Sequence, residues 1–190
     1  MTALLELPTV RERVHRMSVS NYHRAGEIGM LGEDVELLRG IVVQKMPKSP
    51  LHELVCQKLM LALLAKVTKE FQVRRESPLT LRDSEPEPDV SVVRGKPDDW
   101  AKTHPSTAQL VVEVAVSSVA LDEGMAEIYA EAGIPEYWLV RPEARAVDVY
   151  RETTRGGYRS KITLAEKDIL HCQSIPGIGI PVAEILPAGS

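Results

Sequence analysis

The chain has 190 residues, 44% of them hydrophobic and 26% charged, with a net charge of -4, the makeup of one globular domain with a sizeable core. Aromatic side chains supply only 4% of residues, so base-stacking platforms for single strands are not indicated, and a basic nucleic-acid footprint over the whole surface is excluded. No apolar run reaches the roughly 18 residues of a membrane span, and no basic start precedes a long apolar stretch, so neither membrane insertion nor a signal peptide is expected.

In chain order, residues 1–17 read as irregular or partly helical. Their basic cluster (Arg11, Arg13, Arg16 and His15, continued by His23 and Arg24) reads as a solvated helix face or arm. A short helix is predicted from Ser18, with Ser18 or Ser20 as its cap, to about Glu27. VELLRGIVVQKM (35–46) predicts two strands around a turn at Arg39-Gly40. Ser49 then caps a helix that opens on Pro50. Its apolar residues (Leu54, Val55, Leu59, Leu61, Leu63, Leu64 and Val67) crowd all round, which predicts a largely buried helix. Phe71 to Glu76 reads as a strand. SEPEPD (84–89) must be extended, because each proline drives the residue before it out of the helical region. A short strand at Val90 to Val93, a polar loop over 95–108 and a strand over 110–116 follow. A helix over about 119–132 is stopped by Gly133 and Pro135. EYWLV (136–140) and AVDVY (146–150) pair as a hairpin through RPEAR. TRGGYRS is another turn, and GIGIPVAEIL (177–186) is a closing apolar segment. This alternation predicts one α/β or α+β domain, a mixed sheet with helices packed on it.

The strand LVVEVAV carries Glu113 in its middle. Glu113 shares a face with Val111 and Ala115, opposite Val112 and Val114, and both faces are apolar. A carboxylate there must find a basic side chain, backbone donors or a metal, or else take up a proton. Asp89 poses a similar question, at the entry to VSVV directly after two Glu-Pro pairs. Two acids on neighbouring strands make a hard-oxygen site suited to Mg²⁺ or Mn²⁺, able to activate a water against a phosphodiester. The same residues equally suit a turn-capping aspartate and a glutamate paired with a buried base. Glu36, in VELLRG, is either a third acid or the outward residue of an edge strand. His52 either contacts phosphate or the metal-bound water, or bonds a nearby carbonyl or faces solvent. Cys56 and Cys172 stand in no metal-like spacing and read as free thiols, Cys56 on an apolar helix face, which suits a reducing cytoplasm.

The pieces VELLRGIVVQKM, SPLHELVCQKL, PEPDVSVV, LVVEVAVSS, LDEGMAEIYAEAGIPEYWLV and SIPGIGIPVAEIL, in this order, resemble the Uma-two family, of the PD-(D/E)XK restriction-endonuclease-like class. The run IYAEAGIPEYWLV is the most specific of them. The resemblance spans 33–187, leaving 1–32 as an arm and short helix. It implies a central mixed sheet flanked by helices. It also implies a divalent-metal-dependent endonuclease acting on DNA. Asp89 and Glu113 would be its metal ligands, Glu36 a third acid and His52 a cleft residue. A homodimer is expected because palindromic DNA matches a two-fold enzyme, and no organic cofactor is expected. One position departs from the pattern. The wider class places a lysine two residues after the second acid, where this chain has Ala115. The family moves it to the next helix, four residues before the tyrosine, where this chain has Met125. A thioether cannot stabilise developing negative charge. The chain therefore works through metal alone, uses another lysine such as Lys45 or Lys48, or keeps the fold as a catalytically impaired binding or assembly module.

Overall fold

The computed structural model describes residues 7–116 and 119–188; the first six residues of the expected N-terminal arm lie outside that range. The elements are α1 (Pro8–Arg11), α2 (Val19–Glu27), β1 (Val35–Leu38), β2 (Ile41–Gln44), α3 (Pro50–Leu64), β3 (Phe71–Arg75), β4 (Val90–Arg94), β5 (Leu110–Val114), α4 (Val119–Glu131), β6 (Glu136–Arg141), β7 (Ala146–Thr154), β8 (Gly157–Ala165), β9 (Ile169–His171), β10 (Gly179–Pro181) and α5 (Val182–Ile185). A six-stranded sheet in the order β3-β4-β5-β6-β7-β8 forms the centre. Only its β5–β6 pair is parallel. That pair requires a crossover, and α4 supplies it. The architecture is the expected α+β domain with a mixed sheet.

Period-two alternation divides the sheet between two cores. Leu110, Val112 and Val114 of β5 point to the side covered by α3, where Val55, Cys56, Leu59 and Leu63 meet them, and α5 adds Val182 and Ile185. Val111 and Ala115 point to the other side, against Met125, Ala126, Ile128 and Tyr129 of α4. Every residue of β5 is buried, as a strand covered on both faces should be. Glu113 follows the same parity and faces α4.

The predicted caps form: Ser18 Oγ accepts from the N–H of Asn21 at 3.2 Å, and Ser49 Oγ from that of His52 at 3.2 Å. The β1–β2 turn is tight, with φ 49° at Arg39 and 77° at Gly40. A Cβ at Gly40 would stand 2.7 Å from Arg16 Cβ, so glycine lets the arm cross the hairpin tip, where the Met17 N–H donates to Gly40 O at 2.8 Å.

One expectation is corrected. Helix α3 is not largely buried: Leu54, Leu61 and Leu64 are 41%, 56% and 50% exposed. The helix lies on the outside of the sheet, so only the face turned to β3, β4, β5 and α5 finds apolar partners.

Candidate active site

The site forms where β4 begins and β5 ends. The extended segment before β4 is pinned on both sides. Glu85 N–H donates to Leu37 O at 2.6 Å, Leu79 N–H to Pro86 O at 3.0 Å, and Glu76 N–H to Asp89 O at 3.2 Å. With Pro86 and Pro88 limiting its backbone, this segment fixes where Asp89 points.

Asp89 and Glu113 are 7% and 9% exposed, and each is satisfied by the other's strand. Asp89 N–H donates to Glu113 Oε2 at 3.0 Å, and Val114 N–H donates to Asp89 Oδ2 at 2.8 Å. The Tyr129 hydroxyl donates to Glu113 Oε1 at 2.6 Å. His52 Nε2 lies 2.9 Å from Asp89 Oδ2. Burial opposes the charge on Asp89. The His52 hydrogen bond and charge, the Val114 N–H and the Lys48 ammonium outweigh it, so the carboxyl sits below the usual aspartate pKa. Burial, reinforced by Glu113, pushes the Tyr129 phenol well above its ordinary value, so it remains a donor.

His52, Asp89, Glu113 and Val114 line a cleft of about 140 Å³, together with Glu36, Lys45, Lys48, Glu87 and Met125. All four site residues singled out in the sequence (Glu36, His52, Asp89 and Glu113) thus converge on one cavity. Glu36 is half-buried on β1, and its Oε2 accepts from the Glu87 N–H at 3.3 Å. It is therefore not an outward edge residue. Met125 is 5% exposed and completes the α4 apolar face, as its helical spacing indicates.

Of the two candidate lysines, Lys45 is tied to Glu87 and to the Glu33 carbonyl. Lys48 Nζ stands 3.6 Å from Asp89 Oδ1 and 3.1 Å from Glu76 Oε1. Burial works against its ammonium, but Asp89 and Glu76 more than compensate, and its pKa is raised. A basic side chain therefore reaches the acids from the loop before α3, not from β5 or α4.

Two contributors escaped the sequence reading. Tyr129 reads there as one more member of an apolar stripe. The available signal was that a buried hydroxyl needs an acceptor, and a buried carboxylate lies on the strand just before. Glu76, which anchors Lys48, carries no pattern of its own; its φ of 45° places it in a turn that only the folded chain reveals.

A family model described as "Putative restriction endonuclease", Uma2, matches residues 28–183. Among solved structures, the chain is similar to one described as a putative nuclease belonging to DUF820 from Anabaena variabilis. The TM-score is 0.70 at 16% identity, covering 84% of this chain and 95% of that one; at that identity the likeness speaks to the fold. No curated protein matches the chain.

Proposed function

The chain belongs to the Uma2 family, and on that premise we propose that it is a divalent-metal-dependent endonuclease hydrolysing DNA phosphodiester bonds. Asp89 and Glu113 would hold the cation, and Glu36 and His52 would assist them. The observation that carries this reading is Lys48, whose ammonium stands 3.6 Å from Asp89 and supplies the positive charge that Met125 cannot.

The donor set fits a hard cation. Asp89 favours its charged form, and its Oδ1 faces Lys48 across the cleft while Oδ2 takes the two short hydrogen bonds. The two hydrogen bonds occupy both lone pairs of Asp89 Oδ2, so Oδ1, which faces Lys48, is the oxygen through which Asp89 would take a cation. When bound, Mg²⁺ or Mn²⁺ supplies Lewis-acid polarisation of the scissile phosphate and acidifies the attacking water. The chain's own groups do the rest. Tyr129 and the Asp89 N–H fix the Glu113 carboxylate, and the Val114 N–H and His52 fix that of Asp89. Lys48 can turn from Glu76 toward a phosphate oxygen, where its ammonium donates to the charge that grows in the transition state. Glu36 adds a third carboxylate to the rim, and His52 offers a ring nitrogen for a proton. Two buried free thiols suit a reducing cytoplasm, and a two-fold dimer would match palindromic DNA.

Met125 favours a second reading, a nuclease fold that keeps its acids but not catalysis. Calorimetry with Mn²⁺ and Mg²⁺ on the parent and on Glu113→Gln, with DNA cleavage read from the same samples, separates the two. The nuclease reading expects metal binding and cleavage in the parent and neither in Glu113→Gln. Metal binding without cleavage in the parent would establish the impaired reading. Binding that is unchanged in Glu113→Gln would remove Glu113 from the site.

A further inference from the structure

Helix α3 brings a second set of donors to Asp89. His52 and Cys56 are four residues apart and so stand on successive turns of one helix face. That face meets the start of β4. His52 Nε2 is 2.9 Å from Asp89 Oδ2 and 3.9 Å from Cys56 Sγ, and one donor atom from each of the three residues lies within 4.8 Å of the others. A tetrahedral zinc ion, with bonds of about 2.0–2.3 Å, sets its ligand atoms roughly 3–4 Å apart. Small side-chain adjustments would meet that spacing.

We propose that His52, Cys56 and Asp89 form a capture site for a borderline-soft divalent cation, Zn²⁺ or Cd²⁺, distinct from the all-oxygen pair Asp89 and Glu113. The chemistry of the donors separates the two. Thiolate and imidazole favour zinc and cadmium, whereas Mg²⁺ and Mn²⁺ favour carboxylates and water. The two sets share Asp89, so a soft cation on the α3 side takes a ligand from the hard site. On binding, a metal–sulfur bond forms at Sγ and the thiol proton leaves to solvent. His52 coordinates through Nε2 as the neutral imidazole protonated on Nδ1; the proton that Nε2 shares with Asp89 leaves to solvent, and a ring that carried only that proton takes one up at Nδ1 in exchange. Its hydrogen bond to Asp89 is replaced by the cation that both now hold. Three protein ligands leave a fourth position for solvent. If the nuclease reading holds, the consequence is an enzyme supported by Mg²⁺ or Mn²⁺ and inhibited by zinc. The capture site itself does not depend on that reading.

Cadmium chloride titrated into the full-length chain tests it, because a cadmium–thiolate bond absorbs in the ultraviolet and a carboxylate complex does not. The expected result is a thiolate band that saturates at one equivalent in the parent and in Cys172→Ser, and is lost in Cys56→Ser. Zinc chloride should erase the parent's band by displacement. Circular dichroism checks that each variant is folded. If Cys56→Ser fails to fold, the parent and Cys172→Ser still decide, since Cys172→Ser leaves Cys56 as the only cysteine. Absence of a band in the parent would overturn the proposal. So would a band that survives Cys56→Ser or disappears with Cys172→Ser. Cleavage of DNA with Mn²⁺, followed in aliquots of the parent taken before any cadmium or zinc is added, reports separately on the nuclease reading, so the two failures are distinguishable.

Discussion

A carboxylate in the middle of a buried strand is tolerable because its neighbours were built to receive it. Glu113 takes a backbone N–H from Asp89 and a hydroxyl from Tyr129. Tyr129→Phe removes the second. We expect it to cost about 1–3 kcal/mol of stability, the usual penalty for stranding a buried polar group, and to weaken Mn²⁺ binding because Glu113 loses its orientation. Thermal unfolding and calorimetry read the two effects; a variant as stable as the parent and with unchanged affinity would remove Tyr129 from the site. Asp89 gives a pH signature. Its folded pKa is below the unfolded one, so its contribution is fully present above the unfolded value of about 3.9 and is lost as pH falls through the lower folded value. Acid unfolding of Asp89→Asn should therefore be flatter than the parent's in that acidic window, and parallel curves would refute the assignment. The sequence made both acids legible, because a charge in an apolar strand and a charge behind two prolines each demand a partner. It did not make the partners legible. Tyr129 and Lys48 reach the acids from a helix turn and a loop whose facing is set only by tertiary packing.

At the scale of elements, turn chemistry carried most of the information. Arg39-Gly40 and RPEAR each join antiparallel strands, and Leu38 opposes Ile41 while Arg141 opposes Ala146. Helix α3 shows where pattern fails. Its leucines surround the axis, so periodicity gives no exposed face, and the structure divides them by where the sheet lies. The division has a measurable consequence. Leu59 is fully buried and Leu61 is 56% exposed. Leu59→Ala should cost about 2–5 kcal/mol through lost burial and a cavity, whereas Leu61→Lys should change stability by no more than about 0.5 kcal/mol. Comparable losses from both, in denaturant unfolding, would mean that the outer face of α3 is covered in solution. The strands β7 and β8 run further than the short apolar words in the sequence suggest, because β8 is mostly exposed, with only Gly157 buried, and carries Arg159 and Lys161, charges of the kind that blunt a sheet edge.

Taken whole, the molecule is acidic, with a net charge of -4, and its cleft gathers Glu36, Glu87, Asp89 and Glu113 against Lys45 and Lys48. A phosphodiester approaching that cleft meets more negative than positive charge, so a bound divalent cation should do as much for binding as for chemistry. Duplex DNA should therefore bind appreciably more tightly with Ca²⁺, a hard cation that takes oxygen ligands, than with a chelator present. Glu113→Gln should abolish the difference. Fluorescence anisotropy at fixed ionic strength would show it; equal binding in the two conditions would mean that DNA is held elsewhere on the surface.

The exchange of hydrogen bonds between Asp89 and the β5 backbone, and between Glu113 and the Asp89 N–H, bears on inheritance. Each acid staples the other's strand, so a descendant that stopped cutting would still be under pressure to keep both in order to fold. A surviving pair of acids in a related chain is then poor testimony that it cleaves. The cation at Lys48, which costs the fold little to lose, would be among the first parts to drift once cutting no longer mattered, and is the better witness.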